Sequence, residues 1–316
     1  MNRPAALRLG TRGSPLALWQ AGRIAAALEA CGATVRIVEV NTTGDRHGDV
    51  PLPELGPPGV FSRELDEALL AGRIDLAVHS LKDLPAALPD GIALAAVSER
   101  ADPRDALVGR APLTWRELPE GATVATCSRR RAAQLRLARP DLQVADLRGN
   151  IGTRLAKLDR TPAWTAILLA VAGLLRLGEA RRIGERLPLD LMLPAPGQGA
   201  LAVTARADDP AAIRLARRAA NHRPTELATT AERALLEAAE GGCEVPVAAY
   251  ADADPVEPGK VRLRARIAAP DGSRVVDGTA RARVETVAEA AALGRRLARQ
   301  LLARGGAEIL GACVSR

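Results

Sequence analysis

Hydrophobic positions in the first two-thirds of the chain form short apolar runs separated by stretches of helical period. Residues 6–10, 35–40, 74–79 and 92–97 read as strands, and 63–71 as a helix. Ser14-Pro15 opens another helix through Cys31, with serine as N-cap and proline at the first helical position. The rhythm restarts after Asp102-Pro103-Arg104. Strands are predicted at 123–126, 144–147 and 166–170, and helices at 129–138 and from Asn150 to Leu158. Residues 201–205 read as a strand that rejoins the first group. Such alternation predicts mostly parallel sheets with helices on their faces. Two such lobes with crossing connections leave a cleft, and ligands bind outside the carboxyl ends of the strands.

From about Pro224 the rhythm changes. A helix at 225–240 is followed by strands at 245–250, 261–268 and 274–277 and a long helix near 284–303. Strands grouped before a helix predict a small α+β domain. The predicted division is 1–98 with 200–219 as one lobe, 99–199 as a second, and 220–316 as a third domain.

Composition narrows the function. The chain has 316 residues, 44 basic and 37 acidic, for a net charge of +7. Basic residues are interspersed with acidic ones and aromatics are only 2%, which speaks against stacking on nucleic-acid bases and for a small anionic ligand. Only Lys82, Lys157 and Lys260 are lysines. A lysine can release a proton where an arginine cannot. The four cysteines form no CxxC pair and the histidines show no ligand spacing, so neither a metal site nor a disulfide framework is expected. The opening MNRPAALRLGTRGSP has no apolar signal core, and the longest apolar run, 161–175, is too short to span a bilayer. These features predict a cytoplasmic protein.

Four segments carry candidate chemistry. In Asp75-Leu-Ala-Val-His-Ser-Leu-Lys82-Asp83-Leu-Pro85, a buried strand ends with a lysine and a carboxylate side by side. A carboxylate there can stabilise a cation or move a proton; the spacing equally fits a surface turn with a local ion pair. In Ala125-Thr-Cys-Ser-Arg129-Arg130-Arg131, three arginines enter the first turn of a helix, against the helix dipole. A bound anion resolves that conflict; a solvated basic patch tolerates it. Leu147-Arg148-Gly-Asn150-Ile-Gly-Thr-Arg154 and Thr11-Arg12-Gly13-Ser14 repeat the theme at two more helix starts. Glu240-Gly-Gly-Cys243-Glu-Val-Pro246 sets a cysteine on a glycine turn, open to a covalent or redox role or to none.

Together these segments resemble the porphobilinogen deaminase (hydroxymethylbilane synthase) family. The matching stretches are TRGSPLALWQA, VHSLKDLP, ERADPRDAL, LRGNIGTRLAKLD, LAVAGLLRLG, LPAPGQGAL and EGGCEVP, in family order over nearly the whole chain. The resemblance implies an α/β fold of two type II periplasmic-binding-protein-like lobes plus a small α+β C-terminal domain. It implies a dipyrromethane cofactor held by a thioether to Cys243. On that primer, four porphobilinogen molecules are joined head to tail with loss of ammonia, and hydroxymethylbilane is released by hydrolysis, in tetrapyrrole (haem) biosynthesis. Asp83 matches the catalytic aspartate. Arg12, Arg130, Arg131, Arg148, Arg154 and Arg176 match positions that bind the acetate and propionate groups of the pyrroles, to which guanidinium forks are suited. Ser14 and Ser128 can add hydroxyl donors, Lys82 matches a cofactor-binding lysine, and Phe61 matches a residue that packs on a pyrrole ring.

The resemblance also implies a monomer whose partners are porphobilinogen and the growing oligopyrrole; composition and the short apolar run lead us to expect no nucleic-acid and no membrane partner. Some positions depart from the pattern. Glu54 and Pro58 stand in the 52–61 loop where many members have lysines, Arg129 replaces an aliphatic residue, and Cys127 stands where serine is common. The alternative reading is a periplasmic-type small-anion-binding protein without catalysis, and a transcription regulator would need a helix-turn-helix that the chain lacks.

Overall fold

A computed structural model describes residues 6–41, 62–239 and 245–314. Phe61, the loop with Glu54 and Pro58, and Cys243 lie outside the described residues. Contacts divide the chain into two compact units, 1–101 with 199–226, and 102–198 with 227–316.

The first unit holds β1 (Leu7–Thr11), α1 (Pro15–Ala30), β2 (Val35–Glu39), α2 (Arg63–Leu70), β3 (Leu76–Ser80) and β4 (Ile92–Val97). In α1, Ala17, Ala21, Ile24, Ala25 and Leu28 form a buried stripe at helical spacing. β3 is apolar because both of its faces are covered: Leu76 and Ala77 have no exposed surface.

The second unit continues with β5 (Asp105–Gly109), β6 (Thr123–Ala125), α3 (Arg129–Ala138), β7 (Gln143–Ala145), α4 (Ile151–Arg160), β8 (Ala166–Ala170), α5 (Val171–Arg176) and β9 (Glu185–Arg186). The chain then returns to the first unit as β10 (Leu201–Arg206) and α6 (Pro210–Ala220). α7 (Arg223–Ala238) leads to β11 (Val247–Ala253), β12 (Lys260–Ala268), β13 (Val275–Arg283), α8 (Val287–Leu301) and α9 (Ala307–Val314).

Two five-stranded sheets share one pattern. The first runs β2-β1-β3-β10-β4 and the second β7-β6-β8-β5-β9. In each, three parallel strands come first and the strand that enters from the other unit lies fourth, antiparallel to its neighbours. This is the expected α/β pair of lobes, but the sheets are mixed rather than mostly parallel. β3 and β4 do not pair with each other, because β10 lies between them and pairs with both.

The third sheet, β11-β12-β13, is antiparallel. Leu263, Ala265 and Ile267 of β12 pack into one core with residues of α7, α8 and α9. Thr286 and Glu289 form a capping box at the start of α8. β13 runs well past the predicted 274–277. Gly278 and the polar alternation after it obscure the strand in sequence; Gly278 packs closely under α8, where a Cβ would stand 2.8 Å from the Leu301 side chain. The long helix predicted near 284–303 is α8; beyond it the chain kinks at Arg304–Gly305, where Gly305 has φ +103°, and α9 follows.

Candidate active site

In the first unit, three chain segments meet at the carboxyl ends of β1 and β3. β1 ends at Thr11, so Arg12 and Ser14 lie in the turn before α1. Ser14 caps that helix, accepting from the Ala17 amide at 3.3 Å. β3 runs into a 3₁₀ turn, Leu81–Asp83. The turn is anchored by Leu81 and Leu84, both buried, and by the Leu81 amide donating to the Ala200 carbonyl (3.0 Å). Lys82 and Asp83 between them stay half-buried. Arg12, Ser14, Gln20, His79, Ser80 and Asp83 line one recess of about 50 Å³.

Two of these residues were not among the sequence candidates. Gln20 is buried in α1 and donates from Nε2 to Ser80 Oγ at 2.8 Å. His79 Nε2 lies 3.0 Å from Thr204 Oγ1 of the return strand β10. Burial, and secondarily the positive charge of Arg12, push the His79 pKa down to about 3. The imidazole is therefore neutral at physiological pH, and Arg12 is the cation that shares this recess with Asp83. A polar side chain inside an otherwise apolar strand was the available clue for His79.

In the second unit, the arginine-rich helix start is built around a carboxylate. Asp105, the first residue of β5, has no exposed surface. Arg131 donates to its Oδ1 from Nε (3.1 Å) and Nη2 (2.6 Å), and Arg130 Nη1 stands 2.8 Å from its Oδ2. Gln198 Nε2 adds a bond at 2.9 Å. The same arginines donate to backbone carbonyls, Arg130 to Leu193 (2.7 Å) and Arg131 to Leu168 (3.0 Å). Burial lowers the pKa of Arg130 and Asp105 opposes that shift. The sequence left a bound anion and a solvated patch open here; the anion that Arg130 and Arg131 hold is an internal one, Asp105. Ser128 caps the helix, accepting from the Arg131 amide at 3.4 Å, and Arg129 is exposed.

The neighbouring turn carries Arg148 and Arg154. Gly149 has φ +107°, and a Cβ there would meet Thr153 at 2.7 Å, so only glycine fits. Asn150 caps α4 through the Thr153 amide (2.9 Å). Arg154 Nε donates to the Gly149 carbonyl (2.7 Å), and its Nη2 lies 3.9 Å from Cys127 Sγ. This joins the starts of α3 and α4. Arg176, at the end of α5, is half-buried, and loss of water alone lowers its pKa to about 10.

The sequence candidates thus fall into two groups: Arg12, Ser14 and Asp83 with Lys82 beside them, and Ser128, Arg130, Arg131 and Arg154 with Arg148 in the adjoining turn. A family model described as "Porphobilinogen deaminase, dipyromethane cofactor binding domain" matches residues 7–214, and "Porphobilinogen deaminase, C-terminal domain" matches 226–303. The chain belongs to the porphobilinogen deaminase family. A porphobilinogen deaminase of Rubrobacter xylanophilus is 51% identical over 306 residues, covering 96% of each chain. That of Syntrophomonas wolfei is 46% identical over 306 residues, covering 96% of this chain and 97% of its own. Among solved structures, a periplasmic substrate-binding protein of an ABC transporter from Coxiella burnetii aligns over 67% of this chain and 91% of its own, at 16% identity and a TM-score of 0.41.

A family cofactor made of two pyrroles, each with an acetate and a propionate, asks for cationic donors spaced along a surface. Helix starts furnished with Ser128, Arg148 and Arg154 meet that demand. So does Arg176, whose charged form burial disfavours and a carboxylate would restore. Among the described residues no cluster of three or more His, Cys, Asp or Glu could hold a metal ion.

Proposed function

We propose that this porphobilinogen deaminase family member joins four porphobilinogen molecules head to tail, with loss of ammonia at each addition, and releases hydroxymethylbilane by hydrolysis. It is a transferase of tetrapyrrole (haem) biosynthesis. The observation that carries the reading is the placement of Asp83 at the end of a buried strand, in one recess with Arg12 and a neutral histidine.

The dipyrromethane, when bound through Cys243, supplies the pyrrole carbon to which the first substrate unit is joined. Asp83 serves the reacting ring. As ammonia leaves and the next pyrrole attacks, positive charge builds on a ring nitrogen. A carboxylate oxygen facing that N–H lowers the charge and accepts or returns a proton. Arg12 and Ser14, with Lys82, hold substrate carboxylates so that the ring keeps its orientation toward Asp83. A neutral His79 adds no second positive charge that would oppose the one developing on the ring.

In the second unit, Arg148, Arg154 and Arg176 bind acetate and propionate groups of the oligopyrrole, with Ser128 as a hydroxyl donor. Arg130 and Arg131 contribute the N–H groups that Asp105 and the two carbonyls leave over, each guanidinium having five. Phe61 packs on a pyrrole ring. We divide the chain into the lobes 1–98 with 200–219 and 99–199 and a cofactor-carrying domain 220–316. No helix among the described residues is long and apolar enough to cross a membrane, and we place the enzyme in the cytoplasm as a monomer without nucleic-acid or membrane partners.

The test is an intact mass of the purified protein. The expected result is an adduct equal to one dipyrromethane, absent in Cys243→Ser. A chain of bare sequence mass that makes bilane at full rate would overturn the proposal.

A further inference from the structure

A cavity of about 420 Å³ lies within the second unit, between the Leu189–Leu193 stretch and the third sheet. That volume is in the range of small-molecule sites. None of the residues proposed to act on substrate lines it. Its floor is the face of β12 and β13 turned away from the helices, since the alternate residues Leu263, Ala265 and Ile267 are buried against α7, α8 and α9.

The arginines of that face are not equivalent. Arg262 forks onto Asp252, its register partner on β11, at 3.1 and 2.8 Å. Arg266 forks onto Asp277, its register partner on β13, with both bonds at 2.8 Å. Arg264, between them, faces Tyr250 on one side and Thr279 on the other, neither of them acidic. Its guanidinium lies 5.7 Å from the centre of the Tyr250 ring, which fixes its place. The carboxylate that reaches it is Asp190 of the opposite wall, at 2.9 Å, and that side chain is 94% exposed. At the far end, Arg304 donates to the backbone carbonyl of Asp277 (3.0 Å) rather than to a carboxylate. Three guanidiniums, Arg264, Arg266 and Arg304, therefore line the cavity against two carboxylates, Asp190 and Asp277.

We propose that this cavity binds a small multivalent oxyanion, a di- or tricarboxylate or a diphosphate, which replaces the Asp190 carboxylate on Arg264 and draws on the charge of Arg304. An exposed ion pair such as Arg264–Asp190 contributes little, so the exchange is easy. A bidentate oxyanion on a positioned guanidinium gains more than it displaces. Leu189 and Leu193 offer an apolar wall for the body of such a ligand, and Thr279 stands beside Arg264.

Tyr250 is the only tyrosine in the chain, so carbon-13-labelled tyrosine reports on this site alone. The full-length protein is titrated at low salt with citrate and, separately, with pyrophosphate. A saturable Tyr250 shift with either supports the site, and the tighter of the two names the source of the oxyanion. Asp190→Asn removes the internal competitor and tightens binding by about fivefold, whereas Arg304→Gln weakens it about tenfold. Asp208→Asn makes the same change of net charge at another exposed carboxylate and leaves the affinity as it was. The proposal falls if neither anion moves Tyr250 saturably, or if Asp190→Asn and Asp208→Asn change the affinity equally.

Discussion

Asp83 and Asp105 are both carboxylates at the end of a sheet strand, one in each unit, and their surroundings are opposite. Asp83 follows β3 on a turn anchored by Leu81 and Leu84, half-exposed, in a recess with Arg12 and a neutral imidazole. Asp105 opens β5 with no exposed surface and is gripped by Arg130, Arg131 and Gln198. The first faces a recess, where we propose that it serves a ligand. The second is consumed in holding two arginines and the 193–198 stretch to the sheet. Charge type alone does not separate a reactive carboxylate from a framework one; burial and the number of internal donors do.

The contrast is sharpest in two substitutions. Asp83→Ala, once assembled with its cofactor, should lose about 10²–10⁴-fold in turnover with an unchanged melting temperature, checked by porphobilinogen consumption beside thermal denaturation. Near-normal turnover would remove Asp83 from the chemistry. Asp105→Ala should instead unfold easily, losing about 3–5 kcal/mol in denaturant titration, because two buried guanidiniums lose their counter-charge. If Asp105→Ala kept wild-type stability, the division of labour between the two carboxylates would be wrong.

Smaller effects test the surroundings. His79 has a folded pKa near 3 against about 6.5 unfolded. As pH falls below about 6.5, the unfolded chain takes up a proton that the folded chain refuses. Stability then drops by about 1.4 kcal/mol per pH unit until pH nears the folded value. His79→Asn should flatten that part of the stability profile by one proton, and an unaltered slope would place the histidine in water. Smallest is the cap at the start of α3, where Ser128→Ala should cost about 1 kcal/mol in chemical denaturation.

Much of the fold was legible in sequence, for physical reasons. Buried strands such as β3 and capped helices such as α1 and α4 declare themselves through apolar runs and Ser, Pro or Asn at fixed offsets. α3 and β8 fall on their predicted bounds. The dipole conflict of Arg129–Arg131 raised an anion as one of two readings, but periodicity cannot say that Arg130 and Arg131 hold Asp105, because that pairing joins residues distant in sequence. β5 itself escaped notice, being only five residues long and opening on an aspartate, as did the alanine- and arginine-rich α6 and the short α9. Gln20 and His79 were hidden for the same reason: their partners Ser80 and Thr204 come from other strands.

β10 has a consequence for how the protein is made. The first sheet cannot close until residues 201–206 slot between β3 and β4, after the whole second sheet has been synthesised. The amino-terminal lobe therefore leaves the ribosome with two bare strand edges and an unfilled gap at its middle. Its maturation is timed by its sister, and its long-range pairing makes it the slower of the two to settle.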